Sequence, residues 1–163
     1  MPPNFYATFT MNLISKILLP DNVLLDTDST SKKRVFERVG LLFENNQKIA
    51  RSQVFDSLFA REKLGSIGLG QGVAIPHGRV KNLGDGIAAF VKTHHPIPFD
   101  SPDGQPVNLI FVLLVPERAT DVHLQLLAEL AQMFSDKTFR EQLQKSDDPA
   151  AIHQMFSNWK ALS

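Results

Sequence analysis

Val107-Asn108-Leu109-Ile110-Phe111-Val112-Leu113-Leu114-Val115 is the stretch on which the fold turns. It is apolar almost throughout. A strand with one wet face alternates polar and apolar residues, whereas one covered on both faces does not. The run is also far short of the roughly 20 residues that a membrane-spanning helix needs. It therefore reads as a central strand with structure packed on both sides.

Working outward, Ile87 to Thr93 reads as a second strand, reached through a turn-rich stretch around Pro102-Asp103-Gly104. Val23-Leu24-Leu25 reads as a further short strand. Beyond Pro116 the pattern turns helical: Ala119 to Phe134 is long and apolar, Lys137 to Gln144 is short, and Pro149 opens a last helix carrying Ile152, Met155 and Phe156. On the other side, Asn12 to Leu19 reads as a short helix stopped by Pro20. Asp28, Ser29 or Thr30 caps a helix to about Asn45, whose apolar face is Val35, Phe36, Val39, Leu42 and Phe43. Ser52 is the candidate cap of the next helix, with Val54, Leu58 and Phe59 inward and Gly65 as its stop. Helices flank a group of strands on both sides in sequence, which predicts an α/β fold, a three-layer α/β/α sandwich.

The 163 residues suit one domain with a substantial core. Lys and Arg number 17 and Asp and Glu number 17, so there is no basic excess to meet phosphate backbones or anionic membranes. The absence of cysteine excludes a disulfide scaffold, a thiolate zinc site and a cysteine nucleophile. No repeat or low-complexity segment divides the chain, so 11–163 is read as a single domain. Residues 1–10 are read as a flexible N-terminal extension, since Met11 can itself serve as a start. The first ten residues have neither a basic n-region nor an apolar h-region. A soluble, cytoplasmic protein is expected.

Chemistry concentrates between residues 60 and 79. Gly65-Ser66-Ile67-Gly68-Leu69-Gly70-Gln71-Gly72 holds four glycines but neither G-x-x-x-x-G-K-[ST] nor G-x-G-x-x-G, so turning and close backbone approach outweigh nucleotide binding. His77 follows Ile75-Pro76 and precedes Gly78. Most lone histidines are satisfied core or surface residues. This one stands after a conformationally fixed X-Pro step with an unobstructed neighbour, as nucleophilic or acid–base work requires. His123, in Thr120-Asp121-Val122-His123, falls in the first turn of a helix. There it serves either as a neutral hydrogen-bonding ring or as packing beside Leu127 and Leu130. Arg61 either answers its own helix's dipole or offers a fork to phosphate oxygens. His94-His95 precede Pro96 at a strand end and point to opposite faces, and His153 lies on the polar side of the last helix. Neither is a candidate ligand.

The stretch Ala60-Arg61-Glu62-Lys63-Leu64-Gly65-Ser66-Ile67-Gly68-Leu69-Gly70-Gln71-Gly72-Val73-Ala74-Ile75-Pro76-His77-Gly78-Arg79 closely resembles the phosphohistidine signature of fructose/mannitol-type enzyme IIA domains of the phosphoenolpyruvate-dependent phosphotransferase system. Pro96-Ile97-Pro98-Phe99-Asp100, Gln105-Pro106-Val107, Leu113-Leu114-Val115-Pro116 and the helix near His123 agree in order and spacing over about residues 12 to 160. The resemblance is strongest to the nitrogen-regulatory branch, whose members are free-standing IIA proteins. It implies a mixed, about five-stranded sheet between helical layers. It implies further that His77 accepts a phosphoryl group on Nε2 from an HPr-type carrier, that Arg61 steadies it, and that His123 hydrogen-bonds to it. Gly65, Ser66 and Gly78 are the expected phosphate- or partner-binding surface, within a shallow apolar-rimmed patch. Ile67 departs from the family, where threonine is common. No metal or cofactor is expected, because the phosphorus arrives already activated. The expected partners are the HPr-type donor and regulated target proteins, with potassium-transport or sensor proteins as candidates, and neither nucleic acid nor membrane insertion.

Three rival functions differ in what they ask of the chain. A sugar-transport IIA passes its phosphate to a separate IIB protein. A metal-dependent hydrolase needs an H-x-x-x-H or H-E-x-x-H spacing that is absent. A purely structural interaction domain carries no phosphoryl group at all.

Overall fold

The computed structural model describes residues 12–26, 28–65, 67–118 and 121–161. The expected extension at 1–10 lies outside them. Val107–Pro116 is strand β6, in the middle of the sheet. One edge of β6 pairs antiparallel with Ile87–Ile97 (β5), which in turn pairs parallel with Leu18–Asp26 (β1). The other edge pairs parallel with Val73–Ala74 (β3) and His77–Val80 (β4), and β3 carries a short antiparallel partner, Gly68–Gly70 (β2). Val73 lies opposite Leu109 and His77 opposite Leu113, so the register runs unbroken across Ile75-Pro76. Pro76 has no N–H for the ladder, which interrupts one strand into two. The six strands therefore occupy five lanes of a mixed sheet, in agreement with the expected architecture.

The apolar run earns its composition from its position. Leu109, Phe111, Leu113 and Val115 point to one face and Ile110, Val112 and Leu114 to the other, and all are buried. The first face packs on Asp121–Ser135 (α3), Lys137–Lys145 (α4) and Pro149–Asn158 (α5), through Leu126, Leu130, Phe139, Leu143, Ile152 and Phe156. The second packs on Lys32–Gln47 (α1) and Arg51–Glu62 (α2), through Val35, Phe36, Val39, Phe43, Val54 and Leu58. Each helix places these residues at three- and four-residue steps, one apolar stripe against the sheet.

Several local expectations are corrected. Asn12 to Leu19 is not a helix: a three-residue 3-10 turn at Ile14–Lys16 gives way to β1 at Leu18. Pro20 is accommodated inside β1 because β1 is an edge strand, and the register shifts between Leu18 and Val23. Ser31 caps α1, accepting from Arg34 N–H, while the Asp28 and Ser29 N–H groups are already bound to the Asp26 carboxylate. Ala50, not Ser52, precedes α2, and with no side-chain cap there the Glu44 carboxylate accepts the N–H of Arg51, the first helical residue. The ring of His153 is not free on a polar face, for its Nε2 is 2.9 Å from the Leu18 carbonyl. The His94 and His95 rings lie 4.9 Å apart and do not face away from each other, because the β5 register breaks between Lys92 and Ile97 and strict alternation fails there.

Candidate functional site

The parallel pairing of β4 with β6 sets His77 as the first residue of a strand, and the proline before it fixes the approach. Its half-buried ring is held from both nitrogens. Nδ1 lies 3.1 Å from the Ile75 carbonyl and, since a carbonyl only accepts, carries the proton there. Nε2 is then unprotonated, and Arg61 Nε donates to it at 3.2 Å. The two bonds assign the same neutral tautomer. Burial is the main cause holding the His77 pKa below the ordinary 6.5. The Ile75 carbonyl opposes that shift, and the Arg61 and Arg79 charges deepen it.

Arg61 arrives from the last turn of α2. Its Nη1 donates to the Gly65 carbonyl at 3.1 Å, so the fork is anchored by the loop that follows its own helix. His123 comes from the first turn of α3, and its ring stands edge-on to that of His77, with centroids 5.2 Å apart and planes at 84°. It is buried, and its Nδ1 has no hydrogen-bond partner among the described residues. Burial first, then the charges of His77, Arg79 and Arg61, lower its pKa. Two imidazoles thus meet edge to face with a guanidinium bound to one of them, an arrangement suited to receiving an anion with three oxygens.

The structure brings together the three side chains expected to carry chemistry. Gly65 contributes its carbonyl, and its exposed α-carbon has no neighbour within 4 Å of an added Cβ. Gly78 serves packing: a Cβ there would lie 2.5 Å from Ser57 Oγ, so its bareness lets α2 sit close on β4. Ser66 lies outside the described residues. One residue escaped the sequence reading. Arg79 stands two positions along β4 from His77, on the same side by strand alternation, and its charge acts on both histidines. Its Nη1 also donates to the Glu117 carbonyl at 2.7 Å, in the chain leading to α3. The two-residue spacing was the available signal.

Leu64, Val122 and Leu124 are large, exposed and next to the site residues in sequence, and Leu69 is exposed on β2. A depression of about 790 Å³ lies elsewhere, between α1 and α2, lined by Asp28, Arg34, Arg38 and Phe55 among others, and takes in none of His77, Arg61 or His123. Among the described residues no three His, Cys, Asp or Glu side chains cluster as a metal site, and no helix is long and apolar enough to cross a membrane.

Fold and site together describe a phosphotransferase component of the IIA type. The family described as phosphoenolpyruvate-dependent sugar phosphotransferase system, EIIA 2, matches residues 16–159, and the chain belongs to it. Its relatives include a nitrogen regulatory protein of Pseudomonas aeruginosa, 40% identical over 143 residues that cover 87% of this chain and 93% of the relative. A nitrogen regulatory protein homolog of Haemophilus influenzae is 36% identical over 147 residues, covering 88% and 90%. The crystal structure of nitrogen regulatory protein IIA-Ntr from Neisseria meningitidis superposes with a TM-score of 0.83 at 49% identity, covering 89% of this chain and 99% of that one. The chain is thus similar to the nitrogen-regulatory branch of the family.

Proposed function

We propose that this protein is a regulatory phosphocarrier of the cytoplasm, with His77 Nε2 as the acceptor of a phosphoryl group from a phosphorylated HPr-type carrier. As the Nε2–phosphorus bond forms, the phosphorus–nitrogen bond of the donor histidine breaks and its electron pair stays with the donor ring. The proton stays on Nδ1, donated to the Ile75 carbonyl, throughout. Arg61 Nε–H, which occupies the Nε2 lone pair at rest, moves to the incoming oxygens. Arg79 adds charge from the same strand, and His123 offers its ring from the other side. The reading is carried by the paired bonds on His77, which leave its nucleophilic nitrogen neutral and its proton parked away from the reaction. Exposed Leu64 and, on either side of His123 in sequence, exposed Val122 and Leu124 offer an apolar surface that suits a protein donor more than a small one.

Phosphorylation adds about −1.5 to −2 charges at one point of a formally neutral chain and so alters which target proteins bind there. A sugar-transport role, with transfer onward to a IIB protein, is the second reading. A fructose-specific EIIABC component of Bacillus subtilis is 27% identical, over 22% of its own length, against 40% for the Pseudomonas aeruginosa nitrogen regulatory protein. That difference favours regulation. Phosphorylation by an HPr-type donor, followed by mass spectrometry without acid, tests the proposal. The label is expected to be acid-labile and absent from His77→Ala. An acid-stable label, or one that survives that substitution, refutes it.

A further inference from the structure

Arg61 is followed by Glu62, the last residue of α2, whose side chain is only 13% exposed. Glu62 Oε1 holds the ammonium of Lys32, itself 17% exposed and the first residue of α1. Lys32 Nζ also reaches Asp100 Oδ2 at 3.4 Å and lies 5.3 Å from the centre of the Phe99 ring. Both charges oppose their helices, for a cation at an N-terminus and an anion at a C-terminus each face the wrong end of a dipole. A pair so far withdrawn from water also recovers little of its desolvation cost. Stability therefore gives no reason for the pair, and its position does.

We propose that Lys32 and Glu62 are positioning residues that hold the final turn of α2 so that Arg61 meets His77 Nε2. Glu62 Oε2 is buried without a hydrogen-bond partner among the described residues, so Lys32 is the charge that keeps this carboxylate inside. Removing either charge unties α1 from this turn: without the ammonium the carboxylate is an uncompensated buried anion drawn out to water, and without the carboxylate the ammonium is left to Asp100. Glu62 and Arg61 share the last turn of α2, so once that turn is untied from α1 the guanidinium loses its 3.2 Å contact on His77 and its bond to the Gly65 carbonyl. Lys32 thus links the start of α1 and the loop at Phe99-Asp100 to the fork over the acceptor ring. The inference takes from the phosphocarrier reading only what Arg61 does once it is in place.

The test uses the full chain with Lys32→Met, Glu62→Gln and Lys32→Arg, folding being checked by circular dichroism. Two readouts are followed: the His77 ring titration by NMR, and phosphoryl uptake from a phosphorylated HPr-type carrier. The groups that face the ring are Arg61, Arg79 and His123. Lys32→Met and Glu62→Gln are expected to raise the His77 midpoint, by releasing Arg61, and to slow maximal uptake at least about tenfold with the half-saturating donor concentration unchanged. Lys32→Arg keeps the charge and stays near wild type. Glu62→Gln is the decisive variant, since loss of a negative charge acting only through space would lower the midpoint. Wild-type midpoint and rate in folded Lys32→Met and Glu62→Gln overturn the proposal. If Lys32→Met does not fold, the isosteric Glu62→Gln decides alone. If the midpoints rise but wild type itself takes up no phosphoryl group, the positioning role stands and the phosphocarrier reading falls.

Discussion

Ser57 sits directly over Gly78. An added Cβ at 78 would come within 2.5 Å of Ser57 Oγ, 2.9 Å of its Cβ and 3.0 Å of its backbone carbon. The hydroxyl can rotate away from its bond to the Val54 carbonyl, but the Ser57 backbone cannot yield without moving α2. Since α2 carries Arg61 and β4 carries His77, this contact fixes the separation of the two functional elements. Gly78→Ala is expected to destabilise the fold by about 1–3 kcal/mol and to slow phosphoryl uptake. Ser57→Gly in the same chain should recover part of both losses. Urea denaturation of the four members of the cycle checks it, and simple additivity would show that the contact is not the cause.

Protonation of the two site histidines is disfavoured in the folded state, mainly by burial, so their folded pKa values lie below 6.5. As pH falls through about 6.5 the unfolded chain binds protons that the folded site refuses, and stability falls until the folded values are reached. Above that window these groups contribute no pH dependence. His77→Gln and His123→Gln are each expected to lose less stability than wild type between pH 7.5 and pH 5. Parallel urea titrations at the two pH values give the comparison, and an unchanged difference would contradict it.

Arg61→Lys keeps a charge near His77 but not the Nε–H on Nε2 together with the Nη1–H on Gly65. A single ammonium cannot reproduce that fork. Phosphoryl uptake should fall by about 10²–10³, with the protein still folded. Rapid-quench kinetics with a saturating phosphorylated donor measures the rate directly. A fall of less than about threefold would remove Arg61 from the site, well below the loss expected for one stabilising donor.

Arg79→Gln removes one of the two positive charges acting on both rings and keeps a donor able to reach the Glu117 carbonyl. Both histidine midpoints should rise by less than they do on removal of burial, the larger cause. Uptake should slow less than in Arg61→Lys, since Arg79 makes no direct bond to the ring nitrogen. An NMR titration of the two ring signals tests the first point, and a midpoint that falls would contradict the assigned electrostatics.

How much of this was legible beforehand differs from element to element. The two long strands and the three C-terminal helices were readable because period, length and proline position are set by neighbours along the chain. The start of β1 is not legible, since Asn12 to Leu19 has a helix-like composition and only pairing with β5 makes the chain extended from Leu18 onward. The cap of α2 was misread because Glu44, seven residues upstream, does the work of a cap through space. Residues 60–79 display the candidate acceptor histidine and its arginine, and the resemblance rests on that stretch together with the later motifs in order and spacing.

Local sequence settled the layers of the sandwich and the residue types available for chemistry, because steric and periodic rules act within a few residues. Tertiary structure alone decided that Arg61, His77, Arg79 and His123 converge, that Gly78 makes room for Ser57, and that Lys32 reaches Glu62. Those meetings depend on β4 lying parallel to β6 and on helices packed against opposite faces of the sheet. Such pairings are chosen by burial of the whole core, and no local rule brings side chains from α2, β4 and α3 to one point.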